Sequence, residues 1–225
     1  MAEGEKSNYV PYQYEVLSDK EILERSAQFF DKMDQRRTIR EFSDASIDPK
    51  VIDNIVKAAS TAPSGAHKQP WMFCVVSDPE TKGKIRKLAE EEEYQNYHGR
   101  MPEEWLNDLE PFETDWNKPF IEDAPYLIIV FKQAYELDAE GNKHNNYYVN
   151  ESVGIATGFL LAAIHNAGLY ALTHTPSPMN FLAKVLNRPK NERPFLLIPV
   201  GLPAENCKVP QLERKVLTEV MKTYA

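Results

Sequence analysis

A chain of 225 residues with 42% hydrophobic and 27% charged side chains can hold one large domain or two small ones around a sizeable core. Its net charge of −8 leaves no basic excess to neutralise phosphates, which argues against nucleic acid as a partner. Two cysteines (Cys74 and Cys207), a start at Met1 to Lys6 that lacks a signal's apolar core, and no apolar run near the ~20 residues of a membrane span predict a soluble cytoplasmic protein with neither disulfides nor a membrane partner.

Residues 1–17 read as an N-terminal extension, after which Ser18-Asp19-Lys20-Glu21 forms a capping-box pattern. It opens a helix with Ile22, Leu23, Phe29, Phe30 and Met33 at its apolar positions. The helix leads into Arg36-Arg37-Thr38-Ile39-Arg40, which packs three guanidinium groups into five residues. Asp48-Pro49 starts a second helix with Val51, Ile52, Ile55, Val56 and Ala59 facing inward, ending near the turn Pro63-Ser64-Gly65. Trp71 to Ser77 reads as a strand with Cys74 as a buried thiol, and Asp78-Pro79 as the start of a long charged helix reaching about Tyr97. Residues 100–118 are less regular, with Trp105, Leu106, Leu109, Phe112 and Trp116 among many charges. Tyr126 to Phe131 is apolar enough for a strand buried on both faces. Tyr148 to Asn166 is a helix rich in small residues, stopped by Gly168 and open to close approach by another helix. Leu169 to His174 and Phe195 to Gly201 supply two more strands around a helix near 178–187, and from Pro203 the chain runs as a surface arm. Mixed helices and about four short strands imply an α+β or α/β sandwich. No repeat or polar linker divides residues 18–225, which read as one domain.

Four segments carry candidate chemistry. The arginine cluster is either a helix-end basic patch paired with nearby acids or a fork-shaped anion site. The turn at Ala62-Pro63-Ser64-Gly65-Ala66-His67 is either an ordinary tight loop or a place where main-chain N–H groups approach a ligand closely. Glu90, Glu91 and Glu92 read as a solvated helix face. Ile85, Ala89, Glu93 and Tyr97 recur every four residues, so they form one stripe that begins apolar and ends in a carboxylate beside a phenol. With Lys118 folding back from the aromatic segment, the three groups would make a receptor for an amino-acid zwitterion: Glu93 for the ammonium, Tyr97 and Lys118 for the carboxylate. Thr173-His174-Thr175-Pro176 follows a strand and reads as a strand-end turn. His98, His144 and His165 show no ligand spacing and no Cys/His cluster exists, so no metal is expected.

The arginine cluster and the small-residue turn resemble the flavin-binding elements of the nitroreductase superfamily. The pattern Glu93-x-x-x-Tyr97 followed by Trp116-x-Lys118 is similar to the substrate lid of its iodotyrosine deiodinase branch. The resemblance runs from about Arg36 to the C-terminus. It implies an FMN-binding α+β sandwich whose central mixed or antiparallel sheet is flanked by helices. It implies a domain-swapped homodimer too, with a lid at about 90–118 and a C-terminal arm at about 203–225. By the same resemblance, Arg36, Arg37, Thr38, Ile39 and Arg40 grip the FMN phosphate and ribityl chain, with Arg214 as a second phosphate ligand and Lys215 as its alternative. Ser64 and Gly65 would lie along the flavin and the Ala66 N–H would donate to the substrate phenolate, in the manner of an oxyanion hole. Thr173, His174 and Thr175 would sit at the flavin, with the Thr175 hydroxyl at N5, where a donor favours single-electron steps. His174 stands where the pattern has Thr or Val, which leaves its role open. The reaction implied is reductive dehalogenation of 3-iodo-L-tyrosine or its 3,5-diiodo form, with electrons from NAD(P)H or a separate reductase. Two other readings compete: a general NAD(P)H-dependent nitro- or quinone reductase, and a halotyrosine-binding flavoprotein without turnover.

Overall fold

The computed structural model describes residues 9–224, so Met1 to Lys6, the rest of the first eight residues and the last residue of the arm lie outside the description. The chain divides into two compact units that meet at Gln35/Arg36, not at the 17/18 boundary expected. Helix α1 (Asp19–Asp34) belongs to the first unit, and its capping box forms as expected. The Ser18 hydroxyl accepts from the Glu21 N–H at 3.4 Å while the Glu21 carboxylate accepts from the Ser18 N–H at 2.8 Å. No residue of α1 is buried, and Ile22, Leu23, Phe29 and Phe30 are all more than half exposed.

The second unit is built on strands β1 (Trp71–Val76), β2 (Tyr126–Gln133), β5 (Tyr170–Ala171) and β6 (Glu192–Gly201), paired antiparallel in the order β1-β2-β6-β5. Successive side chains of β2 point to opposite faces, and both faces are dry. Ile128 and Val130 pack with Ile198 and Val200 against helices α2 (Pro49–Ser60) and α6 (Val149–Asn166), whose Ile52, Ile55, Ala59, Leu160 and Ile164 complete one core. Leu127, Ile129 and Phe131 pack on the other face against Ile85 and Ala89 of helix α3 (Pro79–Gln95), Phe120 and Ile121 of α5 (Phe120–Asp123), and Leu182 of α7 (Asn180–Val185). Each such large aliphatic side chain contributes roughly 1.5–3 kcal/mol by leaving water. The sandwich is therefore helix, sheet, helix.

Differences from the expected elements are local. Helix α3 ends at Gln95 and continues as a π-helical turn, Asn96–Arg100. Residues 100–118 contain one short α-helix, α4 (Glu103–Leu109), followed by a 3-10 turn at Glu110–Phe112. The expected strand 169–174 is ladder-bonded only at Tyr170–Ala171, and a hairpin of β3 (Tyr135–Leu137) and β4 (Lys143–Asn145) was not anticipated. Cys74 is half-buried rather than buried, and both cysteines are free. The arm from Pro203 is mostly irregular, with one turn of helix, α8 (Leu217–Val220). Among the described residues, no helix is long and apolar enough to cross a membrane.

Two pairings hold chemistry-bearing segments at the sheet edge. Thr38 bridges parallel to Ala171 of β5, with the Ile39 N–H donating to the Ala171 carbonyl at 3.3 Å. His174 exchanges main-chain hydrogen bonds with Leu197 of β6 at 2.8 and 3.0 Å. The arginine segment and the Thr173–Thr175 segment are thus hung on the same edge.

Candidate functional site

Along that edge lie two cavities that share Arg40. The first, about 260 Å³, is lined by Arg36, Arg37, Thr38, Arg40 and Phe112, and by Val209, Leu212, Glu213 and Arg214 of the arm. Arg214 reaches back to donate to the Arg36 carbonyl at 3.1 Å, whereas Lys215 does not line the cavity. Burial, then the guanidinium of Arg214, then that of Arg37 hold the Arg36 pKa below its ordinary value. Crowded cations partly out of water are a donor set suited to phosphate, and bidentate guanidinium–phosphate bonds are the strong kind. The Arg40 guanidinium stands 5.7 Å from the centre of the Phe112 ring. Ile39, expected in the same grip, turns its side chain into the core, since its N–H and its β-bridge neighbour fix that face inward.

The second cavity, about 180 Å³, brings Glu93, Tyr97 and Lys118 together with Arg40, Thr173, His174 and Thr175. The predicted stripe holds: Ile85, Ala89 and Glu93 are buried on α3, and Tyr97 follows in the π-helical turn. Glu93 and Lys118 are 5% and 3% exposed and form an ion pair at 3.5 Å. Lys118 Nζ also lies 5.2 Å from the Tyr97 ring centre, and donates to Thr114 Oγ1 at 3.2 Å and to the Asp115 carbonyl. The Tyr97 hydroxyl donates to the Thr114 carbonyl at 3.2 Å. Burial raises the Glu93 pKa and lowers that of Lys118, and each opposes the shift of the other through its charge. Glu93 and Lys118 thus pair with each other, and the Tyr97 hydroxyl and Lys118 Nζ are further held by the 114–115 segment, which sets a carboxylate, an ammonium and a phenol side by side in one cavity.

His174 lies in the cavity wall with its ring edge-on to Phe120 at 5.3 Å. Its Nε2 is buried without a hydrogen-bond partner among the described residues. Burial, then Lys118, then Arg40 push its pKa down to about 3, so the imidazole is neutral at physiological pH. Apolar walls come from Met101, Trp105 and Leu109, the last two carried by α4. Their only trace in the sequence is a set of large apolar residues in an irregular, charged segment. Glu90, expected to be solvated, is instead half-buried and accepts from the Lys118 N–H at 2.8 Å. Glu92 pairs with Arg100 at 2.6 Å.

The turn at 63–67 lines neither cavity. Its Gly65 N–H donates to Ser152 Oγ of α6 at 3.3 Å, and Ser64 Oγ accepts from the Gln69 N–H at 2.9 Å. Ala66 and His67 are left-handed at φ 49° and 55°, a conformation that costs energy for residues with a β-carbon. The His67 and Lys68 N–H groups bond back to the Ser64 and Gly65 carbonyls, whereas the exposed Ala66 N–H has no hydrogen-bond partner among the described residues. Within one chain, the arginines, the Glu93–Tyr97–Lys118 group and the Thr173–Thr175 segment therefore come together, and the turn stays apart.

A sheet with helices on both faces and an arginine-lined cleft at its edge defines the protein's class: residues 33–202 match the model of the nitroreductase family, and the chain belongs to that family. An iodotyrosine deiodinase from Haliscomenobacter hydrossis is 61% identical over 98% of this chain and 99% of its own. Human iodotyrosine deiodinase 1 is 43% identical over 97% of this chain and 76% of its own. A crystal structure of oxidised iodotyrosine deiodinase bound to FMN and 3-iodo-L-tyrosine superposes with a TM-score of 0.73 at 31% identity, covering 84% of this chain and 96% of that one. Within the nitroreductases, the chain belongs to the iodotyrosine deiodinases.

Proposed function

We propose that this chain is an FMN-dependent enzyme that reduces 3-iodo-L-tyrosine and 3,5-diiodo-L-tyrosine to tyrosine and iodide, working as a cytoplasmic homodimer. The observation that carries the reading is the buried Glu93–Lys118 pair with Tyr97, in a cavity that shares Arg40 with an arginine cradle. The iodotyrosine deiodinase relatives, one of them with FMN and 3-iodo-L-tyrosine in place, support the same chemistry.

FMN, when bound and reduced, supplies the two electrons that release halogen as halide while a proton takes its place on the ring. Arg36, Arg37, Arg40 and Arg214 would hold its phosphate, and Thr38 with the Ile39 main chain would border the ribityl chain. Thr173, His174 and Thr175, which line the cavity beside Arg40, would face the isoalloxazine ring, and the Thr175 hydroxyl would supply it with a hydrogen-bond donor. Glu93 accepts from the substrate ammonium, while Tyr97 and Lys118 hold its carboxylate, so that binding energy of the tail orients the aryl ring. Residues 90–118 act as the lid that keeps water out, and residues 203–225 as the arm bearing Arg214.

A second copy of the chain completes the site by lending Ser64, Gly65 and the Ala66 N–H, which has no hydrogen-bond partner among the described residues and is an oriented dipole that would stabilise a phenolate without reorganising. Helix α6 supplies a face for that copy: Gly154, Ile155, Gly158 and Phe159 are all exposed at i, i+1, i+4 and i+5, and a β-carbon on either glycine would meet nothing within 4 Å. Electrons come from NAD(P)H or from a separate reductase.

The decisive experiment is anaerobic titration of dithionite-reduced protein with 3-iodo-L-tyrosine. Reoxidation of the flavin with stoichiometric iodide is expected; a stable reduced complex without iodide would show a binding protein instead. A general nitroreductase would be recognised by Glu93→Gln lowering nitroarene turnover as much as iodotyrosine affinity.

A further inference from the structure

We propose that Glu90, oriented by Arg86, is a positioning residue that fixes Lys118 for the carboxylate of an amino-acid substrate, and so sets preference for halotyrosines over halophenols without a tail. The proposal rests on the halotyrosine function and adds to it two residues outside the cavity.

Glu90 Oε1 accepts two hydrogen bonds, from the Lys118 main-chain N–H at 2.8 Å and from Arg86 Nε at 2.7 Å. The other guanidinium nitrogens of Arg86 donate to Glu122 Oε2 at 2.6 Å and to Asn117 Oδ1 at 3.0 Å. Asn117 and Lys118 are therefore both tied to α3, from opposite ends of one Arg86–Glu90 unit. The two bonds to Glu90 are part-buried, the Arg86 and Glu90 side chains being 26% and 18% exposed, whereas those to Glu122 and Asn117 face solvent. Charge-assisted bonds of this length, partly withdrawn from water, are stronger than a fully exposed i,i+4 pair.

The register explains why this reaches the substrate. Glu90 and Glu93 are three residues apart on α3 and lie on neighbouring positions of one helix face. Glu93 presents the acceptor for an ammonium, and Glu90 anchors the backbone that presents the donor for a carboxylate. Both poles of the clamp are thereby indexed to one turn of one helix, which fixes their separation. Glu90 itself does not line the cavity, so it can act on a ligand only through Lys118. A ring-only substrate does not call on Lys118 and is indifferent to Glu90.

The test uses FMN-loaded Glu90→Ala, Glu90→Gln and Arg86→Ala. Two readouts separate positioning from general damage. The first needs no substrate: hydrogen exchange over residues 113–120 should speed up at the Lys118 amide roughly tenfold or more in Glu90→Ala, and less in Glu90→Gln, which keeps an acceptor oxygen. The second is the dissociation constant for 3-iodo-L-tyrosine beside that for 2-iodophenol. Glu90→Ala and Arg86→Ala should weaken iodotyrosine roughly tenfold or more, with iodophenol binding and FMN content unchanged. Unchanged exchange at Lys118, or loss of both ligands in parallel, would overturn the proposal. Failure of the wild-type protein to bind iodotyrosine would instead remove the substrate reading, while the exchange result would still judge whether Glu90 holds Lys118.

Discussion

Glu93 and Lys118 are two charges almost wholly withdrawn from water, and each is tolerable only because the other is present. Glu93→Gln keeps an acceptor oxygen but removes the charge that would pair with an ammonium, and it leaves Lys118 without its counter-charge. We expect iodotyrosine affinity to fall roughly tenfold or more, about 1.4 kcal/mol, with FMN still bound, as titration of the flavin absorbance would show. His174 gives a second prediction, in pH. Its folded pKa of about 3 lies below the ordinary 6.5, so between those values the unfolded chain binds a proton that the folded chain refuses. Its contribution is intact above pH 6.5 and is lost as pH falls toward 3, by up to about 4–5 kcal/mol. Urea denaturation across pH 4–7 should show a shallower loss in His174→Gln, which has nothing to titrate; equal slopes would refute this. Glu93 was legible in the sequence because four-residue spacing from Ile85 and Ala89 marked one face of a helix. Glu90 was not, since four consecutive glutamates look alike until Arg86 and Asn117 show which of them turns inward.

At the scale of elements, the strongly patterned pieces were the readable ones. The apolar run of β2, the caps of α1, α2 and α3, and the Gly168 stop of α6 each rest on a local rule that packing then reinforces. What escaped was set by partners far away in sequence. The strand after Gly168 is cut short because, beyond the ladder pairs at Tyr170 and Ala171, only His174 bridges back to β6, and the β3–β4 hairpin is short, with β4 exposed. Helix α5 is a single turn whose last carbonyls are met by Lys82 Nζ, which donates to Glu122 and Ala124 at 2.7 Å, a bond no periodicity could announce. The end of β6 yields a test of the sandwich. A β-carbon at Gly201 would come within 2.7 Å of Pro125 Cδ and 2.9 Å of Phe42 Cδ1, and a proline ring cannot move aside. Gly201→Ala should therefore cost about 1–3 kcal/mol in chemical denaturation, and an unchanged midpoint would show that the backbone there yields more easily than this packing implies.

For the molecule as a whole, apolar side chains left in water are the informative feature. Ile155 and Phe159 are 43% and 44% exposed on α6, and Leu212, Val216 and Leu217 of the arm are more than half exposed. An exposed side chain that serves only its own chain changes stability by no more than about 0.5 kcal/mol when replaced. If the proposed dimer packs through α6, Phe159→Glu should leave the folded chain intact yet shift it from dimer to monomer in sedimentation, and bound FMN should be lost with it. A dimer that persists would move the interface elsewhere.

The separation of the Ser64–Ala66 turn from the clamp has a genetic consequence. In the proposed dimer, a lesion in the turn and a lesion in the clamp would damage different halves of a shared catalytic centre. Mixing Gly65→Val chains with Lys118→Ala chains, each inert by itself, should restore turnover through hybrid molecules in which one centre draws only on undamaged halves. Such rescue by complementation is impossible for a protein whose every chain carries its own complete apparatus.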